Sequence, residues 1–340
     1  MKNIIIYIVI ALSVISFSCS TEFDVNGDWE DITIVYGLLN IKDSVHYIKV
    51  NKAFLGEQDA AIMAQVSDSL YYQDITVTLE EWEEGADMPH NIIELEYNDE
   101  IDKDPGYFAN VPNVLYSTTH NLNSQYDYKL VIQIPGKEYT VSATTKLLDT
   151  LKVCKPTISP QEKVSLSNTY ITEWQSTENA RLYEVELHFH YLKVINGDTT
   201  EHSLDYELPT RKSNKLDGGE EMWIEISGSM FMSYVASMLE DNDNIRYLAD
   251  KHAMDFTFTI ADDDMNTYIE VMQPSSGIVQ EKPSFTNISN GIGLFASRYN
   301  KTIYGKGLSN NTLDSLAYGL STKHLNFADQ YDMYYHTNIE

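Results

Sequence analysis

Strict alternation of apolar and polar residues is the feature that most limits how this sequence can fold. In the stretch YEVELHFHY the apolar residues occupy every second position, and they are Tyr183, Val185, Leu187, Phe189 and Tyr191. Because successive side chains of a β-strand point to opposite faces, this pattern predicts a strand with one buried face. Shorter stretches of the same kind recur between residues 32 and 308. The sequence therefore predicts a mainly β fold.

Turn residues between these stretches predict antiparallel hairpins. The clearest hairpin joins residues 126–134 to residues 139–145 through Pro135 and Gly136. This pair supplies the fixed negative φ and the positive φ of a tight turn. The short strands between residues 32 and 150 together predict a first antiparallel β-sandwich.

A second β-sandwich is predicted over residues 151–308. It begins after a segment in which Pro156 and Pro160 interrupt the alternation. Trp174 and Tyr183 stand where the fibronectin type III fold buries aromatic residues on successive strands, so this stretch resembles that fold. The expected architecture is therefore two Ig/fibronectin-III-like antiparallel β-sandwich domains.

One amphipathic helix is predicted inside the second sandwich, over residues 229–240. Its apolar residues recur at i, i+3, i+4, i+7 and i+8, which places them on one helix face. They are Phe231, Tyr234, Val235, Met238 and Leu239. Ser229 is the predicted N-cap. Residues 266–272, NTYIEVM, are predicted to form a strand, and residues 309–340 form a C-terminal segment.

The charge balance and the cysteine content limit the partners and the chemistry. The chain carries 51 acidic and 23 basic residues, a formal net charge of −28. Nucleic acid and anionic lipid surfaces require basic patches, so we expect neither as a partner. The chain has two cysteines, and Cys154 is predicted to be a buried structural residue.

The N-terminal residues have the order of a secretory signal followed by a lipid-attachment site. Lys2 precedes an apolar run, residues 4–15, which is shorter than the roughly twenty residues that span a membrane. Small and polar residues then lead to Cys19. We expect a signal peptide over residues 1–18, lipidation of Cys19 and an acidic tether over residues 19–31. An ordinary cleavable signal is the alternative.

Four segments of the chain form a combined pattern. They are the residues that lead to Cys19, the early strand VYGLL at 35–39, the Pro135-Gly136 hairpin after a tyrosine-rich strand, and the late segment TNISNGIGLF at 286–295. This pattern resembles a family of Bacteroidota-type outer-membrane lipoproteins of unassigned function. The resemblance implies a lipid anchor in the outer membrane, on the cell surface or alternatively on the periplasmic face. Such proteins are often encoded beside a TonB-dependent transporter, and the family defines no catalytic residues to carry over.

Candidate metal ligands occur on the predicted strand that contains His188 and His190. These residues are two apart, so both side chains point to one face, where Glu184 and Glu186 continue the row. Two or three such side chains can serve as zinc ligands. The alternative is an ordinary solvent-facing strand.

A second candidate cation site lies in the run Asp262-Asp263-Asp264. Carboxylate oxygens in an oxygen-rich loop are the ligands that calcium prefers, so Asp262 and Asp264 are the residues to test. No stretch of the chain completes an EF-hand. We expect no resident cofactor, and a structural calcium ion is the open alternative.

Sequence motifs for catalysis do not support an enzyme, because neither a G-x-S-x-G nucleophile elbow nor a P-loop occurs. The expected function is that of a non-enzymatic accessory or ligand-binding partner of an outer-membrane transporter, with a glycan or peptide as its ligand. One alternative is a carbohydrate-binding or carbohydrate-processing surface module, in which Trp29, Trp82 or Trp223 could stack on a sugar, whereas Trp174 is better explained as a core residue. Another is an adhesin or structural stalk.

Overall fold

The protein is mainly β, as the sequence predicts. Strands make up 46% and helices 14% of the described residues in its computed structural model, and most strand pairs are antiparallel. The predicted signal peptide, Cys19 and the acidic tether lie outside the described residues. The structure describes residues 32–53, 60–241, 245–248, 252–273, 284–329 and 331.

The elements alternate between short strands and a few helices. The first eight strands are β1 Thr33–Leu39, β2 His46–Lys52, β3 Thr76–Trp82, β4 Asn91–Glu94, β5 Glu96–Asn98, β6 Leu115–Thr118, β7 Asp127–Gln133 and β8 Val141–Lys146. The next seven are β9 Lys152–Lys155, β10 Lys163–Val164, β11 Thr169–Gln175, β12 Ala180–Ile195, β13 Asp198–Glu207, β14 Arg211–Lys212 and β15 Glu221–Ser227. The last three are β16 Ile245–Leu248, β17 Met254–Asp262 and β18 Gly291–Leu308. The helices are α1 Ala60–Met63, α2 Ser67–Leu70, α3 Gly228–Met238, α4 Asp263–Met272 and α5 Asn310–Tyr318, followed by a 3-10 turn at Lys323–Leu325.

An eleven-stranded sheet connects the two ends of the chain. Its main order is β13-β12-β17-β18-β1-β2-β6-β5, and β10, β14 and β16 pair at its sides. The long strand β18 pairs antiparallel with β17 and parallel with β1. The first and the last described strands of the chain are therefore neighbours.

The contact between β1 and β18 requires glycine at position 293. Gly293 has a φ of +121°, and a Cβ atom there would lie 1.9 Å from the carbonyl oxygen of Val35. Glycine alone among the residues combines this backbone conformation with so close an approach. The two glycines in the sequence GIGLF thus serve strand pairing.

Two smaller sheets cover the large one. A four-stranded sheet has the order β4-β3-β7-β8, and a three-stranded sheet has the order β15-β11-β9. The predicted hairpin around Pro135 and Gly136 is confirmed, since β7 pairs antiparallel with β8 and Gly136 has a φ of +83°.

The two hydrophobic cores share β18. The first core joins β1, β2 and β6 with the four-stranded sheet, and it buries Val35 and Phe295. The second core joins β12 and β17 with the three-stranded sheet and α3, and it buries Trp174, Phe231 and Tyr299. Phe295 and Tyr299 both belong to β18, so one strand contributes side chains to both cores.

The prediction of a single inserted helix is wrong. Helix α3 lies where a helix was expected, although its N-cap is Ser227, which accepts a hydrogen bond from the Met230 amide, and not Ser229. Helices α4 and α5 are additional. Helix α4 contains residues 266–272, which were predicted to be a strand, because the Asp262 side chain caps its first turn. Within the described residues, no helix has the length and hydropathy needed to cross a membrane.

Candidate functional site

A polar sheet face is formed where β12 lies between β13 and β17. His188 of β12 is paired with Asp205 of β13 on one side and with Asp255 of β17 on the other. Glu186 is paired with Thr257 of β17. Paired residues of an antiparallel ladder share a face, so these polar side chains are gathered on the side opposite the second core.

His188 is the centre of a group of potential metal ligands. Its Nδ1 lies 2.7 Å from Oδ1 of Asp205, and its Nε2 lies 2.9 Å from Oγ1 of Thr257 and 3.8 Å from Oε2 of Glu186. One ligand atom each from Glu186, His188 and Asp205 lies within 4.8 Å of the others. One imidazole nitrogen and two carboxylate oxygens could hold a divalent cation such as zinc.

The other metal candidate on this strand, His190, has a different partner. Its Nε2 lies 3.2 Å from Oδ2 of Asp255, whose Oδ1 accepts a hydrogen bond of 2.7 Å from the Gly305 amide. The structure places His190 on the same face as His188 but outside the group of three ligands.

The sequence did not lead us to Asp205 as a potential metal ligand, although a local signal indicates that it lies opposite His188. Asn196 and Gly197 form a two-residue turn between β12 and β13, and both have positive φ. An Asn-Gly turn of this kind fixes the register of the hairpin that it closes. Counting outward from the turn brings Asp205 opposite His188.

Asp262 and Asp264 hold α4 in place. The Asp262 carboxylate accepts hydrogen bonds from the amides of Met265 and Ser297 and from Oγ1 of Thr145, at 2.9, 2.6 and 3.1 Å. Burial raises the pKa of Asp262 to about 6, and these hydrogen bonds partly oppose that effect. Asp264 accepts a hydrogen bond of 2.7 Å from Asn287. The structure thus gives both carboxylates protein donors and brings neither to the group around His188.

A concavity lined by both polar and apolar side chains lies on the outer face of the three-stranded sheet, and we name it the Trp223 trough. Its volume is about 370 Å³. Trp223 on β15, 54% exposed, is paired with Glu173 on β11, and the neighbouring pair is Gln175 with Glu221. An exposed indole ring is thus bordered by two carboxylates and an amide.

Cys154 also lines the Trp223 trough, and the prediction that it is buried is wrong. It is a free, exposed thiol on the edge strand β9, where alternate residues face solvent. Trp174 lies under the trough and faces the core, with its ring centroid 5.9 Å from that of Tyr183. The prediction that Trp174 is a core residue is confirmed. Of the tryptophans considered as sugar platforms, Trp29 lies outside the described residues.

Comparison of the chain with models of protein families and with curated proteins gives no match. Any ligand of the polar face around His188 or of the Trp223 trough is therefore inferred from the chemistry of the residues there.

Proposed function

We propose that this protein is a non-enzymatic, lipid-anchored binding protein of the outer membrane. It is displayed on the cell surface in this proposal, and the periplasmic face of the outer membrane is the alternative location. The observation that carries the proposal is the order of Lys2, a short apolar run, small residues and Cys19. Two acyl chains on a cysteine are enough for stable anchoring. The mainly β fold is consistent with two Ig/fibronectin-III-like sandwiches held at a membrane.

Its partner in this proposal is a TonB-dependent transporter of the same membrane. Support comes from the combined pattern of the VYGLL strand, the Pro135-Gly136 hairpin and the late TNISNGIGLF segment. Affinity purification of the full chain from outer membranes should recover such a transporter. Purification without one would contradict this part of the proposal and leave the anchor untouched.

The anchor is tested by replacing Cys19. We expect Cys19→Ala to abolish incorporation of a labelled fatty acid and to move the protein from the membrane fraction to the soluble fraction. Cys154→Ala is the matched control, and it should keep both the label and the membrane location. If Cys19→Ala stays acylated and membrane-bound, the anchoring proposal is wrong.

A second candidate function is carbohydrate binding, which the Trp223 trough favours. Indole rings provide a flat apolar surface, and the neighbouring Glu173, Gln175 and Glu221 offer groups that can bond to hydroxyls. A volume of about 370 Å³ is within the range of small-ligand sites.

Binding to a glycan array would test this second function. We expect the full chain to bind a defined set of glycans and Trp223→Ala to lose that binding. Trp82→Ala serves as the control, because Trp82 donates a hydrogen bond to its own strand neighbour Glu80. Equal binding by wild type and Trp223→Ala would remove the trough from consideration.

A further inference from the structure

A cavity of about 490 Å³ lies beside the first core, on the outer face of β1 and β2. The paired residues Tyr36 and Lys49 form part of its floor. Tyr71, which follows α2, and the segment 103–108 form its walls. The backbone bond from the Ala109 amide to the Ala64 carbonyl, 2.8 Å long, holds this segment against the helices. We name this site the lysine cavity.

The lysine cavity is basic in a strongly acidic protein. Lys49, Lys52 and Lys103 line it, whereas the whole chain has a net charge of −28. Among the described residues, none that lines the cavity is acidic, and none brings a carboxylate within 4.0 Å of these three amino groups. Three positive charges thus line one half-open cavity without a described counter-ion.

The contacts of the three lysines are to neutral groups. Lys49 donates a hydrogen bond of 2.6 Å to Oδ1 of Asn113. The Lys103 amino group lies 5.6 Å from the ring centroid of Phe108, and that of Lys52 lies 5.9 Å from the ring of Tyr72. These contacts orient the amino groups but leave their charge uncompensated.

The pKa of Lys49 reflects this arrangement of charges. Burial lowers the pKa of its amino group, and the charge of Lys103 lowers the pKa further. An anion placed between Lys49 and Lys103 would oppose this lowering of the Lys49 pKa, because it supplies the opposite charge beside a partly buried amino group. The apolar surface of Tyr36, Tyr71 and Phe108 would then face the remainder of that ligand.

We propose that the lysine cavity binds a small organic carboxylate with an apolar body, whose carboxylate contacts Lys49 and Lys103. The net charge of the protein disfavours long polyanions, while a single carboxylate adds only one negative charge and so meets little repulsion from the protein. A volume of about 490 Å³ accommodates an aromatic acid of two fused rings. This site is separate from the Trp223 trough and does not depend on the lipid anchor.

Isothermal titration of the full chain in a non-ionic detergent would test the charge requirement. The probes are naphthalene-2-carboxylate, the neutral naphthalene-2-carboxamide and the cationic 2-naphthylmethylamine. We expect the carboxylate to bind at least about tenfold more tightly than the carboxamide, and the amine to bind more weakly still. Equal binding of acid and amide, or no binding of the acid, would overturn the proposal.

Two substitutions locate the site. Lys49→Met and Lys103→Met keep most of the apolar stem, and each should weaken binding of the carboxylate by about tenfold or more while leaving the weak binding of the carboxamide unchanged. Lys163→Met, on the exposed end of β10, is the control and should bind as wild type does. Thermal unfolding of each variant establishes that it is folded. If folded Lys49→Met and Lys103→Met bind the carboxylate like wild type, the cavity is not the site.

Discussion

At the residue scale, the Asp262 carboxyl group is enclosed where β17 ends and α4 begins. Burial raises its pKa to about 6, whereas its three hydrogen-bond donors favour the ionised form. Which of these two effects is larger decides whether the free energy of unfolding rises or falls with pH, and this can be measured. Because native Asp262 keeps its proton to a higher pH than the unfolded chain does, the native protein binds more protons between pH 3.8 and about 6. The contribution of this group to the free energy of unfolding therefore falls as the pH rises through this window.

We predict that the stability advantage of wild type over Asp262→Asn decreases as the pH rises from 4 to 7. The decrease should reach up to about 3 kcal/mol, because one pKa unit corresponds to about 1.4 kcal/mol. Denaturant titrations at several pH values measure it. The exposed Asp198→Asn serves as the control for the loss of one carboxylate at the surface. An advantage that grows with pH would show that the donors outweigh burial.

On the polar face around His188, some side-chain positions could be predicted from the sequence and others could not. The spacing of His188 and His190 correctly placed both on one face of a strand, since that depends only on local geometry. Asp205 belongs to the next strand, and only the Asn196-Gly197 turn relates its position to His188. Trp223 faces Glu173 across strands that are far apart in sequence, and no local pattern indicates that contact.

At the scale of elements, the pairing of β1 with β18 depends on one backbone position. We predict that Gly293→Ala lowers the free energy of unfolding by about 2–5 kcal/mol, since it adds strain at positive φ and a clash with Val35. Gly307→Ala lies in the same strand, where an added Cβ meets nothing within 4 Å. This control should change stability by less than about 0.5 kcal/mol. Similar losses for both variants, measured by urea unfolding, would contradict the argument.

Helix α4 shows why an element can be misread. In DDMNTYIEVM the apolar residues Met265, Tyr268, Ile269 and Met272 recur at i, i+3, i+4 and i+7, which is the spacing of one helix face, although only Asn266 of α4 is buried. The seven residues NTYIEVM alone hide this spacing, because Met265 lies outside them. The capping carboxylate of Asp262 is the signal that decides between helix and strand, and it stands just before the segment.

At the scale of the whole molecule, β18 connects the two cores, because it contributes side chains to both. We predict that Phe295→Ala in the first core costs about 3–5 kcal/mol. Hydrogen exchange should then accelerate in β17 as well as in β1, because both strands bond to β18. Phe258→Ala in the second core is the reciprocal variant and should accelerate exchange in β1. Acceleration confined to the mutated core would show that the cores open separately.

The overall arrangement of the strands is the feature of the fold that is hardest to predict from the sequence. Alternation and turn residues correctly indicated a mainly β chain with a β7–β8 hairpin, because both are local signals. The domain boundaries at residues 150 and 308 stay a prediction. A parallel pairing between the first and last described strands leaves no local trace, and the late TNISNGIGLF segment therefore reads as part of the second sandwich alone. The sequence equally gives no sign that Lys49 and Lys103 would meet in one cavity.

The neighbour relation between β1 and β18 also bears on the order in which the chain can fold. Thr33 pairs with Gly291, so the large sheet cannot close until the chain has been synthesised as far as β18. Contacts between residues so distant in sequence slow folding, since a long loop must close before they form. Until then, the edge of β1 is open to pairing with other chains. The large sheet is therefore complete only when β18, the last described strand, pairs with β1, and this parallel pairing is expected to be a late step of folding.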